Sequence, residues 1–230
     1  MPLMAAPSWL TLDALVATPR PGTTAPSQFA FSPDGRLLTY LWSERGDPVR
    51  DLWAFDTASG ERRVVVRAEE LGPADVALGT EETLRRERQR VREGGITQYQ
   101  WAKSADRLLL PFNGQLYVTN SSGTDVKHVA PSEDAAVDAR LTPNGEQVVF
   151  ARSGELWVAS VEAETLVQLT FDSNETVTNG VAEFIAQEEM GRSAGFWVSP
   201  DTLRVAYAQV DTGHIPGYPI VHQGADEWSV

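Results

Sequence analysis

The 230-residue sequence has no cysteine and only three histidines. The absence of cysteine excludes disulfides, cysteine nucleophiles and zinc-finger sites. The histidines, His128, His214 and His222, are scattered along the chain and show neither the order nor the spacing of a metal site or a Ser-His-Asp triad. We therefore expect no metal and no other cofactor.

Long apolar runs and an excess of basic residues are also missing. Without a run of about 18 apolar residues we expect no membrane span. Because residues 1–7 lack a charged n-region, we expect no signal peptide and a cytoplasmic location, which the absence of cysteine also suits without excluding the periplasm. The formal charge of −13 disfavours nucleic acid as a partner and favours cationic ligands, amines included.

A repeated turn organises what the sequence does contain. Each copy precedes an apolar strand, a second strand that carries an aromatic residue in most copies, and a polar turn. The four copies are Ser32-Pro33-Asp34-Gly35, Lys103-Ser104-Ala105-Asp106, Thr142-Pro143-Asn144-Gly145 and Ser199-Pro200-Asp201-Thr202. Four-stranded units recurring about every 40 residues are typical of β-propeller blades.

The repeats predict an all-β chain whose main part is an incomplete β-propeller. We assign residues 1–25 to an N-terminal helical segment and residues 26–230 to about three blades plus the start of a fourth. Insertions at residues 68–100 and 172–195 interrupt the repeat. Because a blade needs a neighbour on each side, we expect a piece of a longer propeller rather than a short closed ring.

The first insertion contains an arginine-rich segment, residues 79–95. A threonine cap, acidic residues in the first turn and basic residues later predict a helix, which we expect to end at Gly94-Gly95. Its apolar positions, Leu84 and Val91, form one narrow stripe, so the helix should project from the rim. From the residues alone it could be a solvated charged helix or a nucleic-acid patch, and the net charge disfavours the second.

The second insertion places two adjacent carboxylates, Glu188 and Glu189, in an otherwise apolar stretch. Two carboxylates can accept different N–H donors of one protonated amine, each bond contributing about 1.5–3 kcal/mol. Neighbouring residues on a regular helix point about 100° apart, so the pair could converge only from an irregular or one-turn segment. The alternative is a solvated surface pair.

Just after the pair, Gly191-Arg192-Ser193-Ala194-Gly195 matches the G-x-S-x-G nucleophile elbow. The elbow requires a buried strand before the serine and a helix after it, whereas here an acidic segment precedes and a strand follows. We therefore do not assign Ser193 a catalytic role.

The residues around the carboxylates resemble a known family motif. The resemblance is carried by Gln187, Glu188, Glu189, Met190, Arg192, Gly195, Phe196, Trp197, Ser199, Pro200 and Asp201. They are similar to the glutamate motif in the propeller domain of bacterial dipeptidyl peptidase IV type serine exopeptidases, of the prolyl oligopeptidase family. The resemblance implies that Glu188 and Glu189 hold the free α-amino group of a peptide substrate.

The same resemblance gives the arginine-rich helix a role, because family members place one of its arginines on the substrate beside the glutamates. We predict Arg86 for this position, with Arg85 and Arg88 as alternatives. The catalytic Ser, Asp and His of the family lie in a C-terminal α/β-hydrolase domain that this chain lacks, so we expect the chain to be inactive alone. The resemblance also implies a homodimer, formed largely through parts absent here.

Anchoring the amine would select dipeptides as products. Two extended residues span at most about 7 Å, so a nucleophile at that distance attacks the second peptide bond. The residue preferred before that bond would be chosen mostly by the hydrolase domain. The alternative function is a free-standing propeller-like interaction module, in which the charged helix binds a protein partner and the glutamates are ordinary surface.

Overall fold

The structure is a computed structural model that describes residues 11–17, 25–73, 83, 86–88, 90–91, 93–216, 220–221 and 228–229. Strands dominate these ranges and the helices are short: α1 (Leu12–Val16), α2 (Ala68–Leu71) and α3 (Phe184–Glu188). None of the residues of α1 is buried. No helix in the described ranges is long and apolar enough to cross a membrane.

The first three repeats each form a four-stranded antiparallel sheet in which every strand pairs with the next. Blade 1 contains β1 (Ser27–Phe31), β2 (Leu37–Trp42), β3 (Val49–Asp56) and β4 (Arg62–Val66), and a short strand, β5 (Gly94–Gly95), pairs with β3 in parallel. Blade 2 contains β6 (Gln100–Trp101), β7 (Leu108–Phe112), β8 (Gln115–Thr119) and β9 (Lys127–Val129). Blade 3 contains β10 (Val137–Leu141), β11 (Gln147–Arg152), β12 (Glu155–Ser160) and β13 (Leu166–Gln168).

The fourth repeat is built from shorter strands. These are β14 (Val177–Asn179), β15 (Phe196–Val198), β16 (Val205–Tyr207) and β17 (Gln209–Asp211). β15 pairs with β16, and β14 pairs with β17. The remaining strands, β18 (Ile220–Val221) and β19 (Trp228–Ser229), pair with each other. The prediction of an all-β, partial propeller of four-stranded blades with short helical insertions is confirmed.

The repeated turn is held by its own side chains. In blade 1 the Ser32 hydroxyl donates to Asp34 Oδ1 at 2.6 Å, while the backbone N–H groups of Arg36 and Leu37 donate to Asp34 Oδ1 and Ser32 Oγ at 3.1 and 3.0 Å. The same three contacts recur in blades 3 and 4, at Thr142, Asn144, Glu146 and Gln147 and at Ser199, Asp201, Leu203 and Arg204. The sequence repeat is therefore a repeat of hydrogen-bonding geometry.

The blades stack face to face because alternate residues of one strand point to opposite faces of its sheet. In β7, Leu108 and Leu110 belong to the buried cluster shared with blade 1, whereas Leu109 belongs to the cluster shared with blade 3. β11 repeats this division between blades 2 and 4: Val148 and Phe150 on one side, Val149 and Ala151 on the other. Strands with an apolar neighbour on each face therefore read as continuous apolar runs.

The first strand of blades 1 and 3 carries a β-bulge. The register shifts between Ser27 and Ala30 in β1 and between Val137 and Arg140 in β10. Each bulge contains a residue that is not glycine yet has a positive φ, 53° at Gln28 and 50° at Asp138. Such bulges bend a strand and re-aim its side chains.

The arginine-rich segment is helical at the described residues Thr83 and 86–88. It ends earlier than we predicted. Arg90 has a φ of 54°, its N–H donates to Glu87 O at 3.0 Å, and the N–H of Val91 donates to Arg86 O at 2.8 Å. This pair of bonds is a Schellman motif with arginine at the left-handed position.

Gly94 and Gly95 are therefore not the helix stop, and that prediction was wrong. They form β5 instead. A Cβ on Gly95 would lie 2.5 Å from the Arg50 backbone oxygen, so the residue is glycine because the two backbones approach closely, not because a helix ends there.

Thr202 occupies the position at which Gly35 and Gly145 turn the chain, and it has a φ of 64°. This conformation costs a residue with a side chain about 1–2 kcal/mol. Glycine avoids that strain, but it loses more backbone entropy on folding, which offsets part of the gain. We expect Thr202→Gly to raise the free energy of unfolding by about 1 kcal/mol in urea denaturation. Gly35→Thr is the matched control and should lower the free energy of unfolding. The loss would come from backbone strain alone, because an added Cβ there has no atom within 4 Å. A stabilising Gly35→Thr would contradict the argument.

The turns also predict acid sensitivity. Hydrogen bonds from Ser32 and the Arg36 N–H hold the pKa of Asp34 below its ordinary 3.8, and bonds from Ser199 and the Leu203 N–H do the same for Asp201. A lowered native pKa favours the folded state above about pH 4, and this contribution is lost as the pH falls through the native pKa.

Asp34→Asn with Asp201→Asn should therefore show a smaller fall in urea midpoint between pH 7 and pH 3 than the unchanged chain. Asn144 shows that an amide oxygen can accept the same turn bonds. Asp125→Asn, whose ion pair with Lys127 spans 3.9 Å, is the control. A double variant that loses as much stability as the unchanged chain would refute the assignment.

Candidate functional site

The glutamate segment leaves blade 4 from the middle of a strand. β14 and β15 pair with consecutive stretches of the partner strand, and Ala208 lies between those stretches. The Ala208 N–H donates to Gly195 O, and the Ala208 oxygen accepts the Gly180 N–H, both at 2.9 Å. A bridge between Val181 and Ala194 closes the loop just outside. Residues 181–194 are therefore a loop inserted between β14 and β15, which pair with the partner strand as one continuous strand would. We call Gly180 and Gly195, where the loop leaves and rejoins the blade, its neck.

The neck requires glycine on both sides. A Cβ on Gly195 would lie 2.3 Å from Gly180 O, and a Cβ on Gly180 would lie 2.4 Å from Leu156 Cδ2. Gly180 also has a φ of 72°, which is in the left-handed region. The two ends of the loop can come together because Gly195 carries no side chain, and the absence of one at Gly180 lets the incoming end pack against Leu156 of blade 3.

Within the loop, the one carboxylate that is not part of the pair has a structural role. Glu183 is the N-cap of α3 and accepts the Ala186 N–H. It also accepts from Arg192 Nη2 at 3.3 Å, while Arg192 Nη1 donates to Ala194 O at 2.7 Å. Glu183 thus begins the helix and ties it to the returning chain.

Glu188 and Glu189 lie at the opposite end of α3. Glu188 is its last residue, and Glu189 is its C-cap, with φ −104° and ψ −32°. The helix is five residues long, which is the one-turn segment that convergence of the two side chains would require. Both residues are exposed, and neither side chain forms a hydrogen bond or ion pair with another described residue. The acids that remain open to a ligand are therefore the predicted pair.

The arginine-rich segment reaches this loop through Arg88. Its guanidinium carbon lies 5.4 Å from the centroid of the Phe184 ring at the start of α3. A contact of this kind contributes about 0.5–1 kcal/mol when exposed. Arg86 donates from Nη2 to Asn113 Oδ1 in blade 2 at 3.3 Å, and Arg85 lies outside the described residues.

A cavity of about 620 Å³ lies where the arginine segment, the glutamate loop and the first strand of blade 3 meet. Its polar lining includes Arg88, Gln98, Asp138, Arg140, Gln187 and Ser193. Outside it, three large apolar residues beside the carboxylates, Phe184, Ile185 and Met190, are exposed. Glu188 and Glu189 do not line this cavity; they lie beside the exposed apolar residues, and negative charge next to apolar surface suits an organic cation.

Sequence reasoning missed the polar residues below the neck. Asn179 is fully buried and donates from Nδ2 to Glu155 Oε2 at 3.0 Å and to Asp172 Oδ1 at 2.8 Å. Burial alone would raise the pKa of Glu155, but hydrogen bonds from Thr170 and Ser173 outweigh it and hold that pKa below its ordinary value. Nothing in the sequence pairs these residues, because Glu155 lies in β12, Asn179 in β14, and Asp172 in the loop between β13 and β14.

The G-x-S-x-G match is not an elbow. α3 precedes Ser193 and β15 follows it, the reverse of the strand and helix that the elbow needs. His128 stacks on Tyr117 with ring centroids 4.7 Å apart, far along the chain from the loop. In the described ranges no group of three or more His, Asp or Glu side chains could hold a metal ion.

Comparison with known proteins gives the family. The family model described as the dipeptidyl peptidase IV (DPP IV) N-terminal region matches residues 97–229, which include α3 and blades 2 to 4. The chain belongs to this family. The arginine-rich segment lies before the matched range.

Curated relatives of this DPP IV region include two probable dipeptidyl-aminopeptidases B. The one from Talaromyces stipitatus is 31% identical over 83 residues, covering 36% of this chain and 9% of the relative. The one from Chaetomium globosum is 32% identical over 96 residues, covering 40% and 10%. The chain thus matches about a tenth of these relatives' length.

The fold agrees with a solved structure. Porphyromonas gingivalis dipeptidyl peptidase 4 superposes with a TM-score of 0.61 at 19% sequence identity, covering 87% of this chain and 27% of that one. At this identity the similarity shows the fold of the DPP IV region, including the arrangement of its sheets.

The neck gives a sharp prediction for this DPP IV region. Gly195→Ala should lower the free energy of unfolding by about 2–3 kcal/mol, because its Cβ would overlap the Gly180 backbone, and urea denaturation measures this. The control is Gly191→Ala in the same loop, where φ is 61° but no atom lies within 4 Å of the added Cβ. It should cost only the backbone strain, about 1 kcal/mol. Equal losses would mean that the neck is not tightly packed.

Proposed function

We propose that this chain is the substrate-recognition part of a dipeptidyl aminopeptidase, in which Glu188 and Glu189 bind the free α-amino group of a peptide. The observation that carries the proposal is the state of the acids on the loop. Glu183 is used as a cap and ion-pair partner, whereas Glu188 and Glu189 are exposed at the end of a one-turn helix.

Charge and surface both suit a peptide N-terminus. A protonated amine presents several N–H donors to two carboxylates, and the adjoining apolar residues Phe184, Ile185 and Met190 can cover the aliphatic part of a first residue. The chain's formal charge of −13 attracts a cationic end and repels an anionic one.

An arginine beside the pair balances the excess negative charge and donates to a peptide carbonyl. Arg86 is the residue that the family resemblance implies for this role, with Arg85 and Arg88 as alternatives. Arg88 is the alternative supported by its contact with Phe184, since that contact places its guanidinium over α3.

Peptide-bond cleavage belongs, in this proposal, to an α/β-hydrolase domain outside this chain. With the amine held, a nucleophile at most about 7 Å away reaches the second peptide bond, so dipeptides are released. The name dipeptidyl-aminopeptidase B, carried by the relatives from Talaromyces and Chaetomium, agrees with this product.

Titration calorimetry of this chain with a free-amine peptide and its N-acetylated twin tests the proposal. We expect the free-amine peptide to bind and the acetylated one not to bind. Glu188→Gln and Glu189→Gln should each weaken binding about 10- to 100-fold, the loss of one charge-assisted hydrogen bond. Glu175→Gln, at an exposed position before β14 and so at the end of that strand away from the glutamate loop, should leave binding unchanged. Equal binding of both peptides, or of neither, would remove the amine-anchor role.

The arginine is assigned with the same peptide. Arg86→Gln and Arg88→Gln are compared, and the variant that weakens free-amine binding identifies the contacting residue. If both variants bind as tightly as the unchanged chain, neither arginine contacts the peptide.

A further inference from the structure

The neck of the glutamate loop is held from outside as well as by its own strand. Its incoming side ends at Asn179 and its outgoing side begins at Gly195. Each of these residues forms a polar contact with blade 3, and the two contacts lie on different strands of that blade.

On the incoming side, both ends of the buried Asn179 side-chain amide and its backbone N–H have hydrogen-bond partners. Its amide donates to Glu155 and Asp172, its Oδ1 accepts from Gln209 Nε2 at 3.1 Å, and its backbone N–H donates to Gly154 O at 2.8 Å. An aspartate here would add a third carboxylate, and an apolar residue would leave Glu155 short of a donor.

On the outgoing side, the contact comes from the bulge in β10. The carboxylate of Asp138 accepts the Gly195 N–H at Oδ2, 3.3 Å away, and pairs with Arg140 through Oδ1. The positive φ of Asp138 turns the strand at this point, and the side chain is mostly buried, with 16% exposure. The bulge therefore presents a carboxylate to the neck.

We infer that Asp138 and Asn179 are positioning residues, which use blade 3 to fix the neck and thereby the direction in which α3 presents Glu188 and Glu189. Asn179, the last residue of β14, is tied to blade 3 by its side-chain bond to Glu155, and Asp138 accepts from the glycine that precedes β15. With both ends held, the loop leaves the blade in one orientation.

Hydrogen–deuterium exchange tests the positioning without reference to any ligand. Asp138→Ala should raise exchange of the amides of residues 181–194 about tenfold while leaving β11 unchanged. Asp138→Asn, which keeps an acceptor oxygen, should restore most of the protection. Glu133→Ala, an exposed acid in the loop before β10, is the control and should change neither.

Asn179→Ala probes the incoming side and should act in the same direction. If this variant does not fold, Asp138→Ala still decides the question. Unchanged exchange in Asp138→Ala would overturn the inference, as would a uniform rise in blades 2 and 3, which would indicate lost stability alone.

Binding of the free-amine peptide provides a second readout, which rests on the proposed function. Asp138→Ala should weaken it and Asp138→Asn should recover it. If the unchanged chain binds no amine, the proposed function fails while the exchange data still decide the positioning. If the amine binds equally well to Asp138→Ala although its loop exchanges faster, the inferred control of α3 is wrong.

Discussion

Burial of both faces of the inner sheets, blades 2 and 3, is the constraint on which this structure depends. An apolar sheet needs a neighbour on each face, so blade 2 packs Leu108 and Leu110 against blade 1 and Leu109 against blade 3. This stacking fixes the order and orientation of the blades before any functional residue is considered.

Function is added to this scaffold at one position of the repeat. Blades 1 and 3 have a β-bulge in the first strand, at Gln28 and Asp138, and in blade 4 Gly195 lies at the same distance before the repeated turn. A bulge already interrupts the hydrogen-bond ladder, so a longer insertion there removes little further pairing. The glutamate loop can be understood as a bulge that has been extended, held by the carboxylate of the bulge in the neighbouring blade.

Much of this was predictable from sequence because the signals are local. The Ser-Pro-Asp-Gly turns hold themselves with side-chain bonds inside a few residues, so they can be recognised without the fold. The adjacent acids of the loop were visible for the same reason. The predicted end of the arginine helix was wrong because Gly95 resembles a helix C-cap in sequence but lies in β5, where it pairs with Arg50. Asn179 and Asp138 could not be found, since the partners that connect them across the neck, Glu155 and Gly195, are 24 and 57 residues away in sequence.

The double pairing of Ala208 has an evolutionary consequence. Because Ala208 hydrogen-bonds both Gly180 and Gly195, the backbone pairing of the blade is complete whatever sequence is inserted between the two glycines. Selection could therefore lengthen, shorten or rewrite that segment without refolding the sheet beneath it. The two glycines fix where the loop leaves and rejoins the blade, so the loop sequence, and with it the ligand that the loop binds, can differ among proteins descended from a common blade.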